Sequence, residues 1–319
     1  MRTFRLAPDN MSFSFMRLRR VSYPFSAVMS IVSVIMFLTL GLNFGIDFAG
    51  GTLLEIRSKT GQADLASLRA LGDKLSLGEV EVQAFGGGTD ATVRLRLQPG
   101  GDPAQQAAVE KVRAEIGPNY EFRRVEVVGP RVSGELVQSG TLGVVVSIIS
   151  VLIYLWFRYE WQLAIAAVIA TMHDLLLTVG FFAVTRLEFN VTSIAAILTI
   201  VGLSLNETVV VLDRIREMMR KYKKLPIAEM IDLSINAVLS RTIMTSTTTL
   251  LALLALVFFG GHVIQSFSLS MMWGVFVATY SSIFICSPIL IYLGVRPGDL
   301  AEPEPEDGKQ AGRAKKAAA

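Results

Sequence analysis

The stretch Ile200-Val-Gly-Leu-Ser-Leu-Asn-Glu-Thr-Val-Val-Val-Leu-Asp-Arg-Ile-Arg216 decides how the rest of the chain is read. It is the end of an apolar run that opens near Val191, and it finishes in basic residues that no bilayer core would hold. Between the two sit Asn206 and Glu207, with Gly202 and Ser204 close by. A carboxylate inside a membrane span costs about 2.5–3.5 kcal/mol on insertion scales; such a group usually faces a bundle interior and marks an ion or proton path. The surrounding sequence must therefore supply a membrane, a partner for the carboxylate and a reason to keep it.

Working outward, the membrane is evident. The 319 residues are 52% hydrophobic and 18% charged, with mean hydropathy +0.50, the balance of a polytopic membrane protein rather than a soluble enzyme. Besides the run over 191–212, apolar runs occupy 24–42, 141–157, 163–184, 237–259 and 267–293. Each approaches the roughly 20 residues a spanning helix needs, which predicts six spans. The basic arm 1–23 ahead of the first run resembles a signal peptide, but a signal core is only about 7–15 residues long. A retained first span is expected.

Between the first two spans, residues 43–136 read as a small soluble domain. Alternating segments at 52–57, 80–84, 92–97 and 120–128 predict strands. Helical spacing at 63–75 and 103–116 predicts two helices, with Pro103 suited to a first turn. The order β-α-β-β-α-β predicts a split βαβ, ferredoxin-like fold. The fold class expected is an α-helical polytopic membrane protein with six transmembrane helices plus a small α+β ferredoxin-like extracytoplasmic domain. Orientation follows from the basic residues: the 213–240 loop holds Arg214, Arg216, Arg220, Lys221, Lys223 and Lys224, so that side, with both termini, is expected in the cytoplasm. Residues 226–239 carry a one-sided apolar stripe, read either as a helix lying on the inner surface or as one packed on the bundle. The tail, 296–319, is rich in Pro, Glu, Lys and Ala, and is expected to be disordered.

Four ionisable groups fall inside spans or at their inner ends: Asp174, Glu207, Asp213 and Arg241. At 1.5 Å per residue, Glu207 and Arg241 lie roughly 8 and 10 Å to the same side of the midplane. They meet if their helices are neighbours, as a proton relay or as a static pair. His173 and Asp174 stand at the centre of the third span. Adjacent helical positions diverge by about 100°, so the two are not expected to face one neighbour. Thr245 and Thr248 share a face with Arg241; they line a wet path or bond their own backbone. Asp213, beside the basic run, reads as structural.

No nucleophile–base pair, metal cluster or nucleotide loop is present. Gly86-Gly-Gly88 lacks a following Lys-Ser/Thr, Cys286 is alone, and the histidines are His173 and His262 only. Neither enzymatic chemistry nor a cofactor nor a metal is expected, and membrane orientation accounts for the basic loop without nucleic acid.

Five segments in order carry a resemblance: Gly41-Leu-Asn-Phe-Gly-Ile-Asp-Phe-Ala-Gly-Gly-Thr52, Val128-Gly-Pro-Arg-Val-Ser-Gly-Glu-Leu136, His173-Asp174, Thr208-Val-Val-Val-Leu-Asp-Arg-Ile-Arg-Glu217 and Ser240-Arg-Thr-Ile-Met-Thr-Ser246. The chain resembles the SecD/SecF family of protein-export membrane proteins, on its SecF side, within the resistance-nodulation-division superfamily. The resemblance implies half of a transporter in a bacterial inner membrane, in contact with its lipids. It implies SecD, the SecYEG channel and YajC as partners, and proton- or sodium-driven pulling of preproteins. By motif position it implies that Glu207 and Arg241 couple ions. From the residues themselves, Asp174 and Asn206 are further ion-coupling candidates, with Thr245, Thr248 and His173 as supporting polar groups. The usual family residue at Glu207 is aspartate, and at Leu203 tyrosine. Half of a lipid or small-molecule exporter and a non-transporting scaffold of the channel are the alternative readings.

Overall fold

The computed structural model describes residues 12–296, apart from the side chains of His262 and Val263. Arg2, Arg5 and the tail beyond residue 296 lie outside the described residues.

A short 3-10 turn, Phe15–Leu18, leads into α1, Arg19–Leu40. After Gly41 come β1, Asn43–Phe44, and α2, Ile46–Ala49. The sheet domain follows: β2, Gly51–Ser58; α3, Leu65–Arg69; α4, Leu71–Leu75; β3, Val80–Phe85; β4, Asp90–Leu95; α5, Asp102–Ile116; and β5, Tyr120–Val128. The remainder is helical: α6, Pro130–Arg158; α7, Trp161–Thr185; then a short β6, Glu188–Phe189; α8, Val191–Lys221; α9, Ile227–Phe259; α10, Gly261–Ser281; and α11, Ser287–Tyr292. One π-helical turn, Ser282–Cys286, joins the last two. Among the described residues, six helices are long and apolar enough to cross a membrane.

The four-stranded sheet has the order β3-β4-β2-β5, antiparallel throughout. That is the strand order of the ferredoxin-like fold expected from the β-α-β-β-α-β pattern. Leu54, Ile56, Val93 and Leu95 of the sheet are buried with Val109, Val112 and Ile116 of α5 and with Leu68 and Leu71. The single helix expected over 63–75 is instead broken at Ala70. Asp64 caps its first half by accepting from the Ala66 and Ser67 amides. Gly51 opens β2 at φ +121°, where a Cβ would stand 2.4 Å from the Leu95 carbonyl oxygen; backbone this close to the neighbouring strand admits only glycine.

Two helices outgrow their apolar runs. The 31 residues of α8 and 33 of α9 measure about 46 and 50 Å, against a hydrocarbon core of about 30 Å. The segment 213–240, expected as an inter-span loop with a helix only over 226–239, is therefore helical on both sides of a short link at 222–226. Of the two readings of residues 226–239, the helix packed on the bundle is the one found: Met230, Ile231 and Ile235 are buried with Leu212, Ile215 and Met219 of α8. Likewise α6 starts at Pro130, so residues 130–136, expected in the sheet domain, form its first turns. Charge ends a hydropathy run without ending a helix.

Within the bundle, α7 and the sixth helix are the most enclosed, while α1, α6 and α9 are largely peripheral. The contact of α1 with α7 is made by small residues. A Cβ on Gly180 would fall 2.3 Å from Ser33 Oγ, and such contacts let helix backbones approach closely in membranes. A parallel clamp, unanticipated from the sequence, ties the domain to the bundle: β1 pairs with β6, Asn43 opposite Glu188 and Phe44 opposite Phe189. Arg94 of β4 adds an ion pair to Glu188 at 2.8 Å.

Candidate functional site

Two carboxylates within the bundle were singled out from the sequence, and α8 meets both: Ser204 contacts one and Glu207, three positions on, is the other. The first is Asp174, 1% exposed, at the middle of α7. Its Oδ2 accepts from Ser204 Oγ of α8 at 2.5 Å and from Ser281 Oγ of α10 at 2.6 Å. Its Oδ1 lies 3.1 Å from His173 Nδ1. An ionised carboxylate is an acceptor only, and a buried one needs such donors to hold its charge. Three helices thus converge on one side chain.

His173 and Asp174 were not expected to face one neighbour, yet both face α10. The His173 ring sits 6.4 Å from the Tyr280 ring, while Asp174 takes Ser281. The imidazole turns back along the helix to reach the carboxylate, which compensates for the 100° divergence of the two Cβ atoms. Tyr280 in turn shares a hydrogen bond of 2.8 Å with Ser26 of α1. The π turn begins at the residue after Ser281; such turns recur at functional positions because they re-aim the side chains beside them.

The second carboxylate is Glu207, on α8 and half-buried. Thr245 of α9 donates to its Oε1 at 3.2 Å. The buried Thr242 hydroxyl lies near it without reaching hydrogen-bond geometry. Arg241 comes close enough to act on Glu207 electrostatically, but among the described residues the two form no ion pair, and Arg241 is exposed. Asn206 is exposed beside Glu207. The Thr248 hydroxyl donates to the Met244 and Thr245 carbonyls of its own helix.

Of the residues singled out from sequence, Glu207 and Thr245 are joined directly, Arg241 stands near them, and His173 joins Asp174. Asn206 and Thr248 join neither group by a hydrogen bond. Asp213 is held at the bundle's edge by Arg158, 2.8 Å from both carboxylate oxygens, and by the Tyr159 hydroxyl at 2.9 Å. That clamp ties the α6–α7 hairpin to α8. Ser281 and Tyr280 escaped the sequence reading. Their one signal was the polar triplet Tyr280-Ser-Ser282 inside an apolar run. Among the described residues no group of His, Cys, Asp and Glu is arranged to hold a metal ion.

Comparison with known proteins places this geometry. Residues 108–296 match the family described as protein export membrane protein SecD/SecF, C-terminal, and residues 35–62 match the SecD/SecF GG motif. Over 290 residues the chain is 43% identical to the protein translocase subunit SecF of Rickettsia rickettsii, covering 90% of this chain and 93% of that one. It is 43% identical to the protein translocase subunit SecDF of Brucella abortus over 93% of this chain, but spans only 39% of that longer protein. The crystal structure of SecDF, a translocon-associated membrane protein from Thermus thermophilus, superposes with a TM-score of 0.79 at 32% identity, over 91% of this chain and 40% of that one. The GG motif contains Gly50 and Gly51, whose conformation opens the sheet domain, and the C-terminal match holds both carboxylates. Sequence, strand order and helix arrangement agree: this multi-pass membrane chain belongs to the SecD/SecF family of protein-export membrane proteins.

Proposed function

We propose that this chain, working with a SecD partner beside the SecYEG channel and YajC, uses a proton or sodium gradient to promote preprotein movement across a bacterial inner membrane. Glu207 is the ion-coupling carboxylate and Arg241 its electrostatic partner. The observation that supports this most is the state of Glu207: a carboxylate within a membrane span, held by a single threonine hydroxyl, with an arginine close but unengaged. A static structural pair would be closed, because an unpaired charge in such a place is costly. An open pair can alternate between an ionised carboxylate facing arginine and a neutral one released from it. Asp174 belongs to the same coupling machinery through α8, because its donor Ser204 and Glu207 stand three positions apart on that helix and share a face.

On this reading both termini are cytoplasmic and the sheet domain meets the emerging preprotein outside. A cysteine at Glu110, whose side chain is 72% exposed, tests the orientation, since the native Cys286 is buried. Labelling by an impermeant reagent from the cytoplasmic face alone refutes it. The function is tested in vesicles carrying the chain, its partner and the channel under an imposed proton or sodium gradient. Glu207→Gln should leave the complex assembled and abolish gradient-driven export. Full export at normal abundance would leave the chain as a scaffold.

A further inference from the structure

We propose that His173 is the proton-transfer residue of the Asp174 site: it accepts a proton at Nε2 and passes one from Nδ1 to the Asp174 carboxylate. The inference rests on the reading that this chain carries protons, and it gives a task to a residue that otherwise serves only to support its neighbour.

The starting point is an imbalance in the hydrogen bonds. Asp174 is satisfied on every side, by Ser204, Ser281 and His173. His173 is not. Its side chain is 8% exposed, its Nδ1 faces Asp174 Oδ1 at 3.1 Å, and its Nε2 is buried with no hydrogen-bond partner among the described residues. With Asp174 ionised and accepting, Nδ1 carries the hydrogen and a neutral imidazole leaves Nε2 as a bare acceptor. A histidine whose only duty was to donate to Asp174 has no use for a second nitrogen sealed from solvent, and an amide would donate as well. Imidazole alone among side chains can take a proton on one nitrogen while releasing one from the other near neutral pH.

The neighbours leave that nitrogen free for a mobile proton. From α10, Tyr280 lies beside the ring, but its hydroxyl is engaged by Ser26 and the Ser22 carbonyl of α1. From α1, the Tyr23 hydroxyl is turned away to the Ile285 carbonyl. The π turn offers the Cys286 thiol, buried on the Asp174 side. From α8, Ser204 faces Asp174, whereas Glu207 faces Thr245 on α9. Of the charged groups of α6, Arg131 and Glu135 pair with each other near its start, and Arg158 is held by Asp213 at the hairpin end. Among the described residues no lysine or arginine pairs with Asp174, and on this proposal the proton neutralises it.

The step balances. Once the helices have moved enough to admit water to Nε2, which is buried in the arrangement described, hydronium gives its proton to Nε2, leaving water and the imidazolium. Its Nδ1–H bond breaks, and that proton bonds to Asp174 Oδ1, leaving a neutral carboxylic acid and the Nε2–H tautomer. One proton has entered and one carboxylate has been neutralised. Release runs the same bonds in reverse once the helices have moved and Nε2 faces the other side of the membrane. Neutral Asp174 no longer requires two serine donors, so Ser281, at the edge of the π turn, is freed when the proton arrives.

The experiment uses vesicles of phosphatidylethanolamine and phosphatidylglycerol containing the full chain with its SecD partner and a pH-sensitive dye. Asparagine places an amide nitrogen where Nδ1 stands, so His173→Asn keeps the hydrogen bond to Asp174 and removes the transfer. Proton flux should fall on the order of a hundredfold near neutral pH, and the deficit should shrink in mild acid as hydronium reaches Asp174 directly. Unchanged flux in His173→Asn, or a loss equal at every pH, overturns the relay. Glu207→Gln, measured alongside, separates the two ideas. Flux lost there but intact in His173→Asn refutes the relay alone, whereas no proton flux even in the unaltered chain refutes the proton reading and the relay with it. Should His173→Asn fail to accumulate, infrared difference spectra of the unaltered chain on acidification decide: a carboxylic-acid band must appear with an imidazole ring band, and Asp174→Asn must remove the first. A carboxylic-acid band without any imidazole change overturns the proposal.

Discussion

Asp174 and Glu207 are both carboxylates within the membrane-spanning bundle, and α8 touches both, yet their surroundings differ in kind. Asp174 is closed in by three side chains from three helices. Glu207 is half open and held by one hydroxyl that also bonds its own helix. A closed carboxylate resists any change that does not also move helices. An open one responds to whatever charge or water comes near. The comparison teaches that burial cost alone does not define the state of a carboxylate within a bundle; how many elements must move to change its partners matters as much.

The comparison breaks most visibly under charge removal. Asp174→Leu leaves Ser204 and His173 without their acceptor, at about 1–3 kcal/mol for each buried group stranded, and leaves Ser281 only the Ala278 carbonyl of its own helix. Abundance and thermal stability in detergent should drop sharply. Glu207→Leu strands no group wholly, because Thr245 keeps the Thr242 carbonyl, and should cost only about 1 kcal/mol while abolishing gradient-driven export. Equal losses of abundance in the two variants would erase the distinction between closed and open sites.

A smaller effect comes from size. Asp174→Glu forces an extra methylene among packed helices, at about 1–3 kcal/mol, and should lower the unfolding temperature. Glu207→Asp, which restores the usual family residue, should leave stability within about 0.5 kcal/mol and retain export. Weaker still, Thr245→Val removes one interhelical hydrogen bond worth roughly 0.6 kcal/mol; assembly should be unchanged and export rates lowered severalfold. An inert Thr245→Val would detach that hydroxyl from the coupling.

A third carboxylate, outside the membrane, gives the baseline. Asp90, with its side chain 7% exposed, receives both Nε and Nη2 of Arg57, at 2.7 and 3.0 Å. Those bonds hold its carboxyl below the ordinary carboxylate range. A depressed folded value means the contribution to stability is complete above the ordinary range and is lost as pH falls through the depressed value. Hydrogen-exchange protection at the paired ends of β2 and β4, taken relative to the intrinsic exchange rate at each pH, should therefore fall in acid, and Asp90→Asn should flatten that dependence. Persistence of the acid response in Asp90→Asn would assign it to other groups of the sheet domain.

Hydropathy and strand alternation are local properties of the chain, summed over one element at a time. For that reason the six spans, the β-α-β-β-α-β order and the presence of carboxylates at Asp174 and Glu207 were all legible in the residues themselves. The ends of α8 and α9 were not, because charge terminates an apolar run while the helix continues into water or against its neighbours. Nor were the partners. Ser281 stands 107 residues from Asp174, and the polar triplet around it gives no sign of which helix it will meet. The pairing of β1 with β6 likewise joins segments of two residues each, too short to carry a period. Which carboxylate is enclosed and which is open was decided only by how α7, α8, α9 and α10 pack, since burial and hydrogen-bond partners belong to the contacts between helices and not to any one of them.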